Sequence, residues 1–277
     1  MGIREPLRKA LMPASPEFDP LPATVAALRR AGCVFAEEEA RLLLAAAGTP
    51  EELAELVRRR AAGLPLEVLL GWAEFCGVRV AVEPGVFVPR RRTEFLVRQA
   101  VARARPGSVV LDLCCGTGAL GMAMAAAVGG LELHAADIDP VALRCAARNL
   151  APVGGQVYAG DLYDALPGAL RGRIEILVAN APYVPTGAIE LMPPEARLHE
   201  PRIALDGGPD GVEVHRRVAA GAPRWLAPGG CLLIETGEEQ AVHTVAAMTA
   251  AGLASHTVHS EEWSCTVAVG TLSVVGT

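Results

Sequence analysis

The chain has 277 residues, 51% of them hydrophobic and 20% charged, a composition that excludes a largely disordered chain and gives room for one large domain or two modest ones. Against 25 basic residues stand 31 acidic ones, a net charge of -6, the wrong sign for a protein that holds nucleic acid mainly by its phosphates. Lys9 is the only lysine, and a GC-rich genome, which favours alanine, glycine, proline and arginine codons alike, accounts for the arginine bias better than a set of phosphate-binding forks does.

Residues 1–20 carry charges and four prolines but no apolar core of signal-peptide length, so no export is expected. Seven cysteines, an odd number that includes the neighbours Cys114 and Cys115, fit a reducing, cytoplasmic compartment. The two long uncharged stretches, 113–131 and 240–260, are broken by glycines or carry Gln240, His243, His256 and His259, so neither reads as a membrane span.

Helical patterns run over 22–30, 36–47 and a third segment opened by Thr49, Pro50 and Glu52, where Thr and Glu have capping-box spacing and Pro sits in the first turn. After Pro65 the period changes: Val78, Val80 and Val82 alternate with Arg79 and Ala81, Glu83-Pro84-Gly85 supplies a turn, and Val86-Phe87-Val88 follows, which reads as a hairpin linker. From residue 92 helix and strand alternate. A helix to about 104 precedes strand 109–113, helix 119–128, strand 131–136, helix 139–150, and strands 157–159 and 174–179. Then come a helix near 211–220, strand 231–235, helix 238–251 and strands 254–258 and 265–272. Such alternation predicts a parallel sheet covered on both faces, with the last two strands, which lack an intervening helix, as antiparallel neighbours at one end.

The first strand of this series runs into Asp112-Leu113-Cys114-Cys115-Gly116-Thr117-Gly118 and on to Gly121. Gly116, Gly118 and Gly121 match G-x-G-x-x-G at the start of a helix, where backbone N–H groups meet a ligand, and Asp137 ends the next strand where a carboxylate can hold ribose hydroxyls. Dinucleotide enzymes and methyltransferases that bind S-adenosylmethionine share this pattern, and a glycine turn that only packs helix on strand gives the same spacing. Asp112, placed before the turn, would repel a pyrophosphate and attract an ammonium or sulfonium. Asp161 ends the third strand, either as acceptor for an adenine amine or as a cap for the segment that follows. The fourth strand ends in Asn180-Ala181-Pro182-Tyr183, which combines an amide acceptor, a stiffened backbone and an aromatic face at the edge where a substrate meets its cofactor.

The N-A-P-Y loop resembles the N-P-P-Y loop of methyltransferases that modify planar nitrogens. Further matches resemble one branch, the release factor glutamine methyltransferases. Pro65-Leu66 with Gly71 and Phe75 matches P-L-Q-Y-I-x-G-x-x-x-F, and Val86 to Arg90 with Thr93-Glu94 matches V-L-I-P-R-P-E-T-E. Glu200-Pro201, Ala204-Leu205, Gly207-Gly208 and Asp210-Gly211 match E-P-x-x-A-L-x-G-G-x-D-G, while Glu235, Gly237 and Gln240 match E-x-G-x-x-Q. The resemblance covers about residues 65 to 240.

It implies an α/β fold: a doubly wound, Rossmann-like methyltransferase sheet with an antiparallel terminal strand, plus a small N-terminal helical domain. The expected divisions are a helical substrate-recognition domain at 1–70, a hairpin linker at 71–90 and the methyltransferase domain at 91–277. The implied reaction moves a methyl group from S-adenosylmethionine to the side-chain nitrogen of the glutamine in the Gly-Gly-Gln loop of peptide chain release factors. In that reading Asn180 and the backbone carbonyl of Ala181 accept the two amide N–H groups, while Pro182 stiffens the loop and Tyr183 packs on the amide plane. Asp112, Cys114, Cys115, Gly116, Thr117, Gly118, Asp137, Asp161, Leu162 and Asn180 hold the cofactor. No metal, membrane or direct nucleic-acid contact is expected. Rival readings are an adenine-amine methyltransferase acting on nucleic acid, a dinucleotide oxidoreductase, and a binding module without activity.

The chain also departs from the pattern. Ala181 replaces the first loop proline and frees Asn180 from the pre-proline restriction. Cys114 replaces the first turn glycine, which implies a backbone there that tolerates a side chain, and Leu162 stands where an aromatic can occur. Arg91-Arg92 replace Pro-Glu near the expected mouth of the site. Arg58 to Arg60 and Arg90 to Arg92 read as solvated faces, with docking onto an acidic partner as the alternative.

Overall fold

The computed structural model describes residues 19–274, so the reading of residues 1–20 as free of an export signal falls almost wholly outside the described residues. The chain divides into two compact units between Ala62 and Gly63.

The described residues of the first unit form three helices: α1 (Leu21–Arg30), α2 (Ala36–Ala46) and α3 (Pro50–Ala61). Leu28, Ala36, Ala40 and Leu43 are fully buried along their apolar stripes, the helical spacing that lets short helices gain stability by packing. At the start of α3 the Thr49 hydroxyl accepts the Glu52 N–H at 3.2 Å, and the Glu52 carboxylate accepts the N–H of Gly48 at 2.7 Å instead of closing the box on Thr49. The 58–60 arginine run is not one solvated face. Arg58 pairs with Glu55 at the surface, but Arg60 lies 2.6 Å from Glu39 with both side chains only 10% exposed.

The second unit opens with a short helix absent from the sequence reading, α4 (Leu66–Leu70), followed by strands β1 (Trp72–Phe75) and β2 (Val78–Ala81). These two strands form the hairpin, in register from Trp72↔Ala81 to Phe75↔Val78, which corrects the expected pairing of 78–82 with 86–88. The turn is Cys76-Gly77, with φ of +50° and +73°, and two successive left-handed residues suit the twist of a tight hairpin. Pro84 and Pro89 flank the 86–88 run, which stays outside any strand.

The remaining elements are α5 (Glu94–Val101), β3 (Val109–Leu113), α6 (Ala119–Val128), β4 (Glu132–Asp137), α7 (Pro140–Leu150), β5 (Gln156–Ala159) and β6 (Ile174–Ala179). After them come α8 (Pro194–His199), α9 (Glu213–Gly221), β7 (Leu226–Thr236), α10 (Glu238–Ala250), β8 (Leu253–Ser260) and β9 (Cys265–Leu272). The seven-stranded sheet has the order β5-β4-β3-β6-β7-β9-β8. Strands β3 to β7 are parallel, and β9 runs antiparallel between β7 and β8, as the missing crossover helix required. Every residue of β3 is buried, because helices cover both faces. Val110, Ile176 and Leu233 pack with Leu96 and Met124 on one face, while Leu111, Leu177 and Leu232 pack with Val218 and Trp225 on the other.

Candidate active site

The chain leaves β3 toward β4 and β5 on one side, then crosses to β6 on the other, so the carboxyl ends of β3 and β6 flank a switch point where an open sheet leaves a crevice. A cavity of about 1120 Å³, its open mouth included, occupies that place. Of the residues singled out in the sequence, Cys114, Cys115, Gly116, Thr117, Asp137, Asp161, Leu162, Asn180 and Pro182 line it. Thr93, Phe87, Ile138, Ile203 and Arg217 also line it; apart from Phe87 and Thr93, in a matched motif, no local pattern marked them.

The glycine turn is built around two carboxylates. Asp137 accepts the N–H of Gly116 at 2.8 Å and that of Asp139 at 2.9 Å, which fixes the turn to the end of β4. Burial raises its pKa, and these backbone donors hold part of the rise back. Gly116 has a φ of +54°, and a Cβ there would project into open space, so the backbone at this point is bare toward the cavity. Gly118 is placed differently: a Cβ on it would press on Leu150 at 3.1 Å, so this glycine serves the packing of α6 against α7.

Asp112 is not on the cavity wall, contrary to direct attraction of a cofactor cation. It is 1% exposed, its Oδ2 accepts the Gly121 N–H at 3.0 Å, and its Oδ1 has no partner. Burial raises its pKa from 3.8 to about 8, against the pull of the Gly121 N–H and with a further push from Asp137. Cys114 has a φ of +58°. The turn has therefore kept the left-handed conformation in which glycine is cheap, and the cysteine side chain is strained there, not simply tolerated. Burial pushes both the Cys114 and Cys115 thiols upward, with the nearby carboxylates adding to it, so neither is a ready thiolate.

At the far end of the cavity Asp161 makes no cap bond to the segment after it; its carboxylate instead accepts from Arg217 at 2.7 Å. Leu162, beside it, is left-handed at φ +49°.

The N-A-P-Y loop is held along its length. The Asn180 side-chain amide donates to Thr93 Oγ1 at 3.3 Å, and Thr93 is 1% exposed. Ala181 is also 1% exposed, and its backbone carbonyl lies against the His215 imidazole. His215 is fully buried, its Nδ1 is 2.9 Å from Thr244 Oγ1 and its Nε2 has no partner. Burial lowers its pKa to about 4, against the pull of the Ala181 carbonyl, so the ring is neutral. Tyr183 does not line the main cavity. It lies in a neighbouring one with Arg92 and Glu235, and its hydroxyl accepts from Arg92 at 2.7 Å.

Several matched motif residues turn out to brace this edge. Glu94 accepts the Cys76 N–H at 3.2 Å, which ties the hairpin turn to α5, and Glu200 accepts from Arg90 and from the Val88 N–H. A Cβ on Gly207 would come within 2.7 Å of the Tyr183 Cα; the glycine lets its segment lie directly on the loop. Arg91 and Arg92 are exposed, as a solvated face requires, but the 90–92 arginines are also tied down: Arg90 is anchored by Glu200 and Arg92 by Glu235 and Tyr183, while Arg91 lies near the Trp263 ring.

The profile of the methyltransferase small domain family matches residues 77–261. The chain is 40% identical over 197 residues to the release factor glutamine methyltransferase of Geobacter sulfurreducens, 69% of this chain and 68% of that protein. It is 40% identical over 218 residues to that of Mycolicibacterium smegmatis, 76% of each. It is also 37% identical over 214 residues to the 4-amino-L-phenylalanine/4-methylamino-L-phenylalanine methyltransferase of Streptomyces pristinaespiralis, 75% of this chain and 73% of that protein. In fold it is similar to a solved methyltransferase of Pyrococcus furiosus, with a TM-score of 0.54 and 14% identity over 72% of this chain and 90% of that one. The family match makes this switch-point crevice, with its exposed glycine turn and amide-bearing loop, that of a methyltransferase, and the chain belongs to the release factor glutamine methyltransferase family within the small-domain methyltransferases.

S-adenosylmethionine is its cofactor. The residues present fit it: the turn is bare at Gly116, carboxylates stand at Asp137 and Asp161, and Asp112, with one unpartnered oxygen, lies under the turn as a carboxyl that a cation would help to ionise.

Proposed function

We propose that this protein methylates the side-chain nitrogen of the glutamine in the Gly-Gly-Gln loop of peptide chain release factors. The observation that carries this reading is the Asn180 amide, fixed by Thr93 at 3.3 Å on the wall of the cofactor cavity. With its nitrogen committed to Thr93, its carbonyl oxygen is the acceptor left for an N–H of the incoming amide.

When bound, the cofactor supplies an electrophilic methyl group. Asp137 would hold the ribose and Asp161 the adenine, with Cys114 to Gly118 in the glycine turn and Leu162 completing the set of residues that would hold the cofactor. An amide nitrogen is a poor nucleophile because its lone pair is delocalised, so the loop must hold it in line and favour the charge that develops on it. Asn180 accepts one N–H and the Ala181 carbonyl the second. Pro182 limits the loop's freedom and Tyr183 backs the acceptor site. The nitrogen sheds its proton after it has become cationic, so no side-chain base is required in the loop.

In this reading residues 1–70 recognise the protein substrate, 71–90 link, and 91–277 carry the reaction. A release factor places the work in the cytoplasm; among the described residues no helix is long and apolar enough to cross a membrane. The net charge of -6 supports a protein acceptor over nucleic acid.

The test is label transfer from radiolabelled cofactor to a release factor, to the same factor with its loop glutamine changed to alanine, and to free 4-amino-L-phenylalanine, the acceptor named for one relative. Label that depends on the loop glutamine supports the proposal. Label on the altered factor, or on the free amino acid alone, overturns it.

A further inference from the structure

Glu235 ends the apolar run of β7 and is 2% exposed, where a lone carboxylate would be costly to bury. Two groups reach the same oxygen. Arg92 Nε donates to Glu235 Oε1 at 3.3 Å, and the Tyr183 hydroxyl donates to it at 3.2 Å. The triangle is closed by Arg92 Nη2, which donates to the Tyr183 hydroxyl at 2.7 Å. Each member is thus held by the other two. Burial pushes the Tyr183 hydroxyl upward and Glu235 adds to it, so the phenol keeps the proton it donates.

We infer that Arg92 is a positioning residue for methyl transfer, fixing the Tyr183 end of the N-A-P-Y loop through Glu235. The inference rests on the proposed reaction at that loop. Three features of this chain point the same way. Ala181 removes a proline that would have restricted Asn180, so the loop needs fixing by other means. Thr93 fixes it at Asn180, and the triangle fixes it three residues on. Position 92 is also where the family pattern has Glu, and a carboxylate there could not pair with Glu235; the arginine makes the anchor possible. Only a guanidinium can donate to both the carboxylate and the phenol from fixed positions on one planar group. The Arg92 side chain is half exposed, but its Nε and Nη2 are directed at two residues of its own chain, which favours positioning over docking.

The experiment compares wild type with Arg92→Gln, Arg92→Lys, Tyr183→Phe and Arg92→Gln/Tyr183→Phe, measuring kcat and KM for the release factor and cofactor affinity by calorimetry. Positioning predicts that Arg92→Gln lowers kcat about 10-fold at unchanged KM and cofactor affinity, and that Arg92→Lys restores part of it. It also predicts that Arg92→Gln costs little more once Tyr183→Phe has removed the apex of the triangle. An independent readout is fluorine NMR of fluorotyrosine-labelled protein. The chain has three tyrosines, Tyr183→Phe assigns the resonance, and Arg92→Gln should shift and broaden it while the other two hold. A rise in KM at unchanged kcat, or an unmoved Tyr183 resonance, overturns the inference. A wild type that labels no release factor overturns the proposed substrate instead, and the NMR result still decides whether Arg92 fixes the tyrosine.

Discussion

The side-chain nitrogen of Asn180 and the hydroxyl of Thr93 are 3.3 Å apart, joining the end of the fourth parallel strand to the 3₁₀ turn (Arg91–Thr93) that leads into α5. This bond decides which end of the asparagine meets the substrate. Replacing Asn180 by alanine should reduce methyl transfer by about 100-fold or more while cofactor affinity stays within a few fold. Thr93→Val, which keeps shape and loses the bond, should lower kcat about 10-fold. Kinetics with parallel calorimetry checks both, and equal loss of transfer and cofactor affinity would mean that the loop does not act on the acceptor.

Gly207 tests how tightly that loop is backed. A Cβ there would meet the Tyr183 Cα at 2.7 Å and the Pro182 oxygen at 2.8 Å, and backbone cannot yield as a flexible side chain can. Gly207→Ala should therefore displace the loop and lower kcat well beyond any fall in melting temperature. An unchanged kcat would show that the loop has slack.

Cys114 sits at φ +58°, a conformation that costs a residue with a Cβ about 1 kcal/mol relative to glycine. The Cys114→Gly variant should be at least as stable as the wild type in chemical denaturation, and it should keep its cofactor affinity. A clear loss of stability would show that packing of the thiol against its neighbours outweighs the strain.

Asp112 links stability to pH. Its ordinary pKa of 3.8 applies in the unfolded chain, and burial raises it to about 8 in the folded one. Between those values the folded chain holds a proton that the unfolded chain releases, so this contribution is complete below about pH 4 and is lost as pH rises toward 8. The melting temperature should fall over that interval, less so in Asp112→Asn, which can still accept the Gly121 N–H. A cationic cofactor favours the carboxylate, so binding near neutral pH should release a proton, seen in calorimetry as a dependence on buffer ionisation heat. That dependence should be absent in the variant.

The parallel sheet was legible because β3 and β6 are short, mainly apolar runs, broken only by Asp112 and by Glu175, that lead into turn residues, and their observed bounds coincide with the expected ones. The hairpin was misread because its turn is Cys76-Gly77: cysteine hides a left-handed position that asparagine would have announced. Helix α4 has five residues, too few for a period to show. At the site, the lining Gly116 and the carboxylates Asp137 and Asp161 followed from spacing. The buried position of Asp112 did not, because alternation along β3 gives the face of a residue but not the depth of a turn above it. His215 and the Arg92 anchor escaped because their partners lie far away in sequence, His215 being 29 residues from Thr244 and Arg92 143 from Glu235.

The most direct measurement is mass spectrometry of a release factor after incubation with this protein and its cofactor, with fragmentation to place any added methyl group. The account predicts one methyl on the side-chain nitrogen of the Gly-Gly-Gln glutamine, and none with the Asn180→Ala variant. A methyl on another residue, or an unmodified loop glutamine beside a methylated free aromatic amine, would contradict it.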